Sequence, residues 1–309
     1  MKYQLRHTTR YEYSGDVTLS HNEARILPRS LPWQFCENTQ LIISPTPERM
    51  RERVDFFGNR VVYFSIERVH HELEVSVVSD IETRARPTQD FFSTIGWEQA
   101  VQDLRGDIGA SNRDSLEARL FVLDSPFIHQ HESLADYALP SFWAGRNLRD
   151  AVLELNQRIF NEFAYDPHST TVATPLQEVL ANRRGVCQDF AHLTIGCLRS
   201  LGLAARYVSG YMETLPPPGQ EKLVGADATH AWVAVFIPGW GWLEIDPTNG
   251  CLPDERYIVL GWGRDFADVT PLKGVMTGGG DHVLTVAVDV TSNREEPAVM
   301  QAEWRPAAQ

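Results

Sequence analysis

Three residues in this sequence have the types and spacing for nucleophilic acyl chemistry: Cys187, His230 and Asp246. Cys187 lies in Arg183-Arg184-Gly185-Val186-Cys187-Gln188-Asp189-Phe190-Ala191, after a glycine turn and at the head of a segment with helical spacing. A free thiol is mostly protonated at neutral pH, but the unpaired N–H groups and partial positive charge of a helix N-terminus favour the thiolate. A small core cysteine is the competing reading. A thiolate nucleophile also needs a base, and the base needs a group that orients it. His230 enters a β-favouring run, Ala231-Trp232-Val233-Ala234-Val235, and Asp246 closes another, Leu243-Glu244-Ile245. The Pro238-Gly239 turn between the runs makes them antiparallel, so the start of the first lies beside the end of the second. His230 and Asp246 are then expected in contact.

Other residues compete for these roles. Asp189 suits the first turn of a helix, where a carboxylate meets the dipole, and is ranked as structural. Asp227 fits local turn chemistry. His192 falls on the wrong helical face to reach Cys187 and reads as a satisfied core histidine. Arg183 and Arg184 support a thiolate only if they point inward; surface arginines are the expectation. An oxyanion hole requires donors. The Cys187 N–H is one, and the Tyr165 hydroxyl and the Gln188 side chain are candidates for a second, set against a packed tyrosine and a solvent-facing glutamine. Trp232, Trp240, Trp242 and Trp262 line a cleft or, more simply, pack on their own core. Cys197 reads as buried and inert.

The elements that position these groups divide the chain. Residues 1–88 alternate as strands, with a turn at Ser14-Gly15-Asp16, a stop at Pro45 and a hairpin around Gly58-Asn59. They form an amino-terminal antiparallel, sandwich-like β domain. Residues 89–145 read as a mixed helical connector, with Trp97, Ala100, Val101 and Leu104 on one face, and a helix capped by Ser133 and stopped by Pro140. The core spans 146–275. Asn147 caps a helix striped by Leu148, Val152, Leu155, Ile159 and Phe163; Thr174-Pro175-Leu176-Gln177 is a capping box; the cysteine helix ends at Gly202. Strands follow from Ala205, His230 and Trp242, interrupted by a Pro216-Pro217-Pro218-Gly219 loop. Residues 276–309 hold a flexible joint at Gly278-Gly279-Gly280, a strand through Leu284, Val286, Val288 and Val290, and a loose tail.

Composition narrows the function classes. The 309 residues carry a net charge of −13, which disfavours an electrostatic grip on nucleic acid or on anionic membranes. No run of 18 apolar residues occurs, and the opening MKYQLRHTTRYEY has no apolar leader core. Four unpaired-looking cysteines fit free thiols in a reducing cytoplasm, the expected location. Neither a tight Cys/His pair for zinc nor a calcium-loop motif is present, so no metal or other cofactor is expected.

Taken together, Gly185-Val186-Cys187-Gln188-Asp189-Phe190-Ala191, then Ala204-Ala205-Arg206-Tyr207-Val208-Ser209-Gly210-Tyr211, then His230-Ala231-Trp232, then Asp246-Pro247-Thr248 resemble the core of the transglutaminase-like superfamily, in the family's order. Tyr11-Glu12-Tyr13 and the hairpin through Asn59 resemble the β domain that precedes this core in bacterial members, which are often described as cysteine proteases. The resemblance implies an α+β, papain-like core in which Cys187 is the nucleophile, His230 the general base and acid, and Asp246 the orienting carboxylate. It implies a peptide or protein substrate. Hydrolysis and transamidation share this triad; hydrolysis is the expectation, because transamidation must also exclude water. The alternative is a non-catalytic protein-binding module on the same fold. Oligomeric state is not legible.

Overall fold

The computed structural model describes residues 1–86, 95–106, 113–213 and 229–292. The Pro216–Gly219 loop, Asp227 and the tail after Ser292 lie outside the described residues. The fold is α+β, as the pattern predicts.

The amino-terminal sheet is built on one long strand, β1 (Lys2–Ala24), joined by β2 (Gln34–Ser44), β3 (Arg49–Val54), β4 (Arg60–Ile66) and β5 (His70–Thr83). Their order is β2-β5-β1-β4-β3, all antiparallel. The hairpin at Gly58-Asn59 forms as expected, with Asp55 Oδ1 accepting from the Phe57 and Asn59 N–H groups at 2.9 and 2.8 Å. The expected turn at Ser14-Gly15-Asp16 does not form. β1 runs through it, because two later strands, β12 (Leu272–Gly278) and β13 (His282–Ser292), line its other edge end to end. Gly278-Gly279-Gly280 is therefore not a flexible joint. All three have positive φ and form a kink that hydrogen-bonds the matching kink in β1, with Ser14 N–H to Asp281 O at 2.9 Å and Gly15 N–H to Gly279 O at 3.0 Å. Across this bend Phe64 and Ile66 of β4 join Leu73, Val75 and Val77 of β5 in one apolar cluster, which gives the sandwich-like character.

The helices fill the middle of the chain: α1 (Trp97–Arg105), α2 (Arg113–Ala118), α3 (Glu132–Ala138), α4 (Leu148–Glu162), α5 (Leu176–Asn182), α6 (Cys187–Ser200) and α7 (Phe266–Val269). Ala100, Val101 and Leu104 of α1 are buried together, and Asn147 caps α4 by accepting from the Arg149 and Asp150 N–H groups, both as expected. Two caps differ. His131, not Ser133, caps α3, its ring accepting from the Ser133 N–H; α3 ends at Ala138 ahead of Pro140, which sits in the short 3-10 turn that follows. Thr174 turns back to accept from the Thr171 N–H at 2.9 Å, so α5 starts from Pro175 without a side-chain cap.

A second sheet, ordered β10-β9-β8-β11, comprises β8 (Ala205–Met212), β9 (Thr229–Ile237), β10 (Gly241–Ile245) and β11 (Tyr257–Gly263). A short parallel pair, β6 (Ala164–Tyr165) with β7 (Arg184–Gly185), leads into α6. One face of the four-stranded sheet buries Val233, Val235, Leu243 and Ile245 with Leu193, Ile195 and Leu198 of α6. Tyr211, Ile258 and Leu260 meet Tyr3, Leu5, Val288 and Val290, which ties this sheet to the amino-terminal one. β11, α7 and β12 have no counterpart in the sequence reading: each is short, and their signals are too local to separate from loop. Among the described residues no helix is long and apolar enough to cross a membrane.

Gly210 fixes the approach of β8 to Trp232. A Cβ there would overlap the Ile258 carbonyl oxygen on β11 and press on the Trp232 ring, which is fully buried. Gly210→Ala is expected to destabilise the protein by about 2–3 kcal/mol through overpacking, read as a lower urea midpoint with an unchanged m-value.

Candidate active site

The geometry starts from Asp246, whose side chain is fully buried. It follows β10, and the chain then turns through Pro247–Gly250 and pairs back on it: Asp246 N–H donates to Cys251 O at 2.9 Å. The turn aims its own N–H groups at the carboxylate. Thr248 and Asn249 N–H donate to Oδ1 at 2.8 and 3.2 Å. Oδ2 accepts from His230 Nε2, the Asn249 side-chain amide and the Tyr257 hydroxyl, each at 2.7 Å. Burial by itself would raise the Asp246 pKa, but the hydrogen bond and charge of His230, helped by Asn249 and Tyr257, hold it below the usual aspartate value.

His230 is the second residue of β9. The β9–β10 register places Ile245 opposite Val233, so Asp246 meets His230 diagonally across the ladder rather than directly. The ring stacks on Trp232 at 6.0 Å between centroids, with Tyr257 tilted against it at 5.9 Å. Because Nε2 is engaged by Asp246, Nδ1 is the nitrogen left for the cysteine. Burial would lower the His230 pKa, yet bonding to Asp246 and Cys187 outweighs it and raises the value to about 10. The imidazolium therefore persists through neutral pH.

Cys187 is half-buried at the first position of α6. Asp189 closes that helix start: Oδ2 accepts from the Val186 N–H at 2.8 Å and from the Thr170 hydroxyl at 2.6 Å. This matches its ranking as a structural residue. Gly185 is required by that cap, since a Cβ would come within 2.8 Å of Asp189 Cβ and Oδ2. The structure thus brings Cys187, His230 and Asp246 into one cluster. Asp189 stays outside the hydrogen-bonded chain.

The remaining candidates separate cleanly. Tyr165 is not packed. It is 60% exposed on β6, paired with Gly185 two residues before the cysteine, and its hydroxyl pKa is raised by partial burial and then by the charges of Cys187 and Asp189. Gln188 is half-buried. His192 is a core residue stacked on Phe127, its Nε2 accepting from the Phe266 N–H at 3.1 Å, and burial with the nearby Arg199 drives its pKa down to about 3. Arg183 lies over Tyr137 and Phe163 and pairs with Glu162, while Arg184 is exposed beside Asp166, so neither charge points at the thiol. Cys197 is fully buried and its thiol is pushed up to about 12 by burial. Among the described residues no three His, Cys, Asp or Glu side chains converge to hold a metal ion.

The sequence reading missed Tyr257 and Asn249, the other side chains on Asp246. Asn249 was findable: it sits three residues after the aspartate, within reach of an Asx-type turn. Tyr257 arrives from β11 and carried no local signal.

The ion pair sets a pH signature. The raised His230 pKa contributes stability that is fully present below its ordinary 6.5 and is lost as pH rises toward about 10. The depressed Asp246 contributes above its ordinary 3.8 and loses that contribution as pH falls. Asp246→Asn is expected to destabilise the fold by about 3 kcal/mol. The loss should be largest between pH 3.8 and 6.5 and shrink toward pH 10, as measured by urea unfolding across that range.

Comparison with known proteins agrees with this architecture. Residues 3–82 match the bacterial transglutaminase-like N-terminal region, and residues 142–247 match the transglutaminase-like superfamily. The uncharacterized protein Rv2569c of Mycobacterium tuberculosis is 41% identical over 294 residues, covering 94% of this chain and 92% of that one. A protein-glutamine gamma-glutamyltransferase of Pseudomonas aeruginosa is 32% identical over 105 residues, which are 31% of this chain and 16% of that enzyme. The crystal structure named "Putative Cysteine Protease from Cytophaga hutchinsonii" superimposes with a TM-score of 0.73 at 22% identity, covering 96% of this chain and 92% of that one, and shows a shared fold. The chain belongs to the transglutaminase-like superfamily and carries the amino-terminal region of its bacterial members.

Proposed function

We propose that the protein is a cysteine-dependent acyl-transfer enzyme that acts on amide bonds of peptides or proteins. Cys187 is its nucleophile, His230 its general base and acid, and Asp246 the orienting carboxylate. The observation that carries this reading is the order of contacts from the buried Asp246 through His230 to Cys187, with His230 held in its charged form.

In the proposed cycle the Cys187 thiolate attacks the amide carbonyl and its sulfur bonds to the carbonyl carbon. The negative charge that develops on the oxygen is met by N–H groups at the start of α6, which have no intrahelical acceptor. Tyr165, exposed on the strand that pairs with Gly185, is the candidate for a second donor. Protonated His230 gives its Nδ1 proton to the leaving amine, the C–N bond breaks, and a thioester remains. Neutral His230 then takes a proton from the incoming nucleophile, and attack on the thioester restores the Cys187 thiolate. With water the result is hydrolysis; with a primary amine it is transamidation. Cys187 is only half-buried, in an open setting that favours water as the acceptor, so hydrolysis is the preferred outcome. The name of the Pseudomonas relative keeps transamidation as the second outcome.

Charge and location follow the same reading. At −13 the chain favours neither nucleic acid nor an anionic membrane as partner, and four free thiols suit a reducing cytoplasm.

The test is trapping of the acyl-enzyme. Intact-mass analysis after brief exposure to an activated acyl ester should show one acyl group on the wild type and none on Cys187→Ala. His230→Ala should acylate at least about 100-fold more slowly. Equal acylation of wild type and Cys187→Ala would show that the thiol is not the nucleophile and would favour a binding module. Adding a primary amine then separates the outcomes: unchanged acid product means hydrolysis, and amide product means transfer.

A further inference from the structure

The four-stranded sheet has a second face, turned away from α6, with a chemistry of its own. Strand alternation places Arg206, Trp232, Trp242 and Glu244 there. Between this face and the amino-terminal segment after β1 lies a cavity of 470 Å³ walled by Trp33, Trp240, Trp242 and Trp262. That volume is within the range of small-molecule sites. Trp232 and its hydrogen bond to Glu244, at 2.6 Å, stand between this cavity and His230, so the space is distinct from the Cys187 cleft.

Its charges are unbalanced. Glu244 is the one carboxylate on the wall, and it is already held by Arg86 and by the Trp232 indole N–H. Arg206 feels the charge of Glu244 but forms no ion pair with it. It is only 8% exposed, and its guanidinium lies between the rings of Trp242 and Trp262, at 4.2 and 3.9 Å from their centroids. Among the described residues it makes no hydrogen bond or ion pair. Its Nε is sealed without an acceptor, and the residue lines both this cavity and a neighbouring space that also holds Arg29, Asp114 and Glu117. The Trp33 indole N–H, on the facing wall, is likewise buried without an acceptor. Burial lowers the Arg206 pKa to about 9, the charge of Glu244 opposing the shift and Arg29 adding to it, which leaves the guanidinium charged at neutral pH. A buried guanidinium with unused donors is costly unless an anion completes it.

We propose that this cavity is a binding site for a small carboxylate with a flat apolar body, its carboxylate on Arg206 and its body between the indoles. Two parallel N–H donors suit a carboxylate, and the indole walls suit an aromatic or acyl group. The site goes beyond the acyl-transfer reading and does not depend on it.

Calorimetric titration with phenylpropionate, and with its neutral isostere phenylpropionamide, tests the proposal. The acid should bind wild type and Cys187→Ala equally, and the amide should bind wild type at least about tenfold more weakly. Arg206→Met should lose the acid by a similar factor. In the wild type the indole N–H resonances of Trp33, Trp240, Trp242 and Trp262 should move on addition of the acid. No saturable binding of the acid, equal binding of acid and amide, loss of binding in Cys187→Ala, or movement confined to other tryptophans would each overturn the proposal. The acid–amide comparison needs only the wild-type chain, so it decides even where Arg206→Met fails to fold.

Discussion

A carboxylate sealed from water must be met by donors, and at Asp246 five of them converge: two turn N–H groups, an amide, a phenol and an imidazole. Without them the buried charge would cost several kcal/mol or would not exist, because the group would be neutral. With them the charge is retained and is imposed on His230, whose protonated form it stabilises against burial. Everything proposed for Cys187 rests on this pairing of a buried aspartate with a charged ring at the start of an inner strand.

Much of the surrounding structure keeps that arrangement rigid. The stacking of Trp232 on His230 fixes the ring plane, and Trp232 is in turn fixed by Glu244, by Tyr257 and by the absence of a side chain at Gly210. Glu244 is held by Arg86, which follows β5 of the amino-terminal sheet, and the long β1 edge is completed by strands from the far end of the chain. Beneath α6, Arg199 is fully buried and donates to the carbonyls of Phe121, Leu123, Ala205 and Arg264, locking the helix that presents Cys187 to the segments around it. The amino-terminal sheet therefore shares in positioning the wall behind the histidine.

Sequence alone reveals the parts of this design that depend on local order. The helix start at Cys187, the Asn147 cap, the β9–β10 pairing and the hairpin at Gly58-Asn59 are all short-range, and their periodicity and turn residues point to them. What it leaves hidden is long-range. The glycine run at 278–280 reads as a joint because its partner kink at Ser14-Gly15 lies some 260 residues away, a span that no local rule crosses. Tyr257 is an ordinary strand residue until β11 brings it to Asp246. The tryptophans divide between the two readings weighed for them: Trp232 packs in the core, whereas Trp240, Trp242 and Trp262 wall a cavity whose other side comes from the amino-terminal segment. Tyr165 reads as packed by type, and only the β6–β7 pairing sets it in the open opposite Gly185.

The most direct test of the central claim is the pH dependence of Cys187 alkylation by iodoacetamide, followed by mass spectrometry in wild type and His230→Ala. A cysteine activated by a charged His230 should label rapidly at pH 6 in the wild type, and that labelling should collapse in the folded variant. Slow labelling of Cys187 at pH 6 in both folded proteins would contradict the account. The buried aspartate and its histidine would then be a structural pair, and the cysteine beside them would not be a nucleophile.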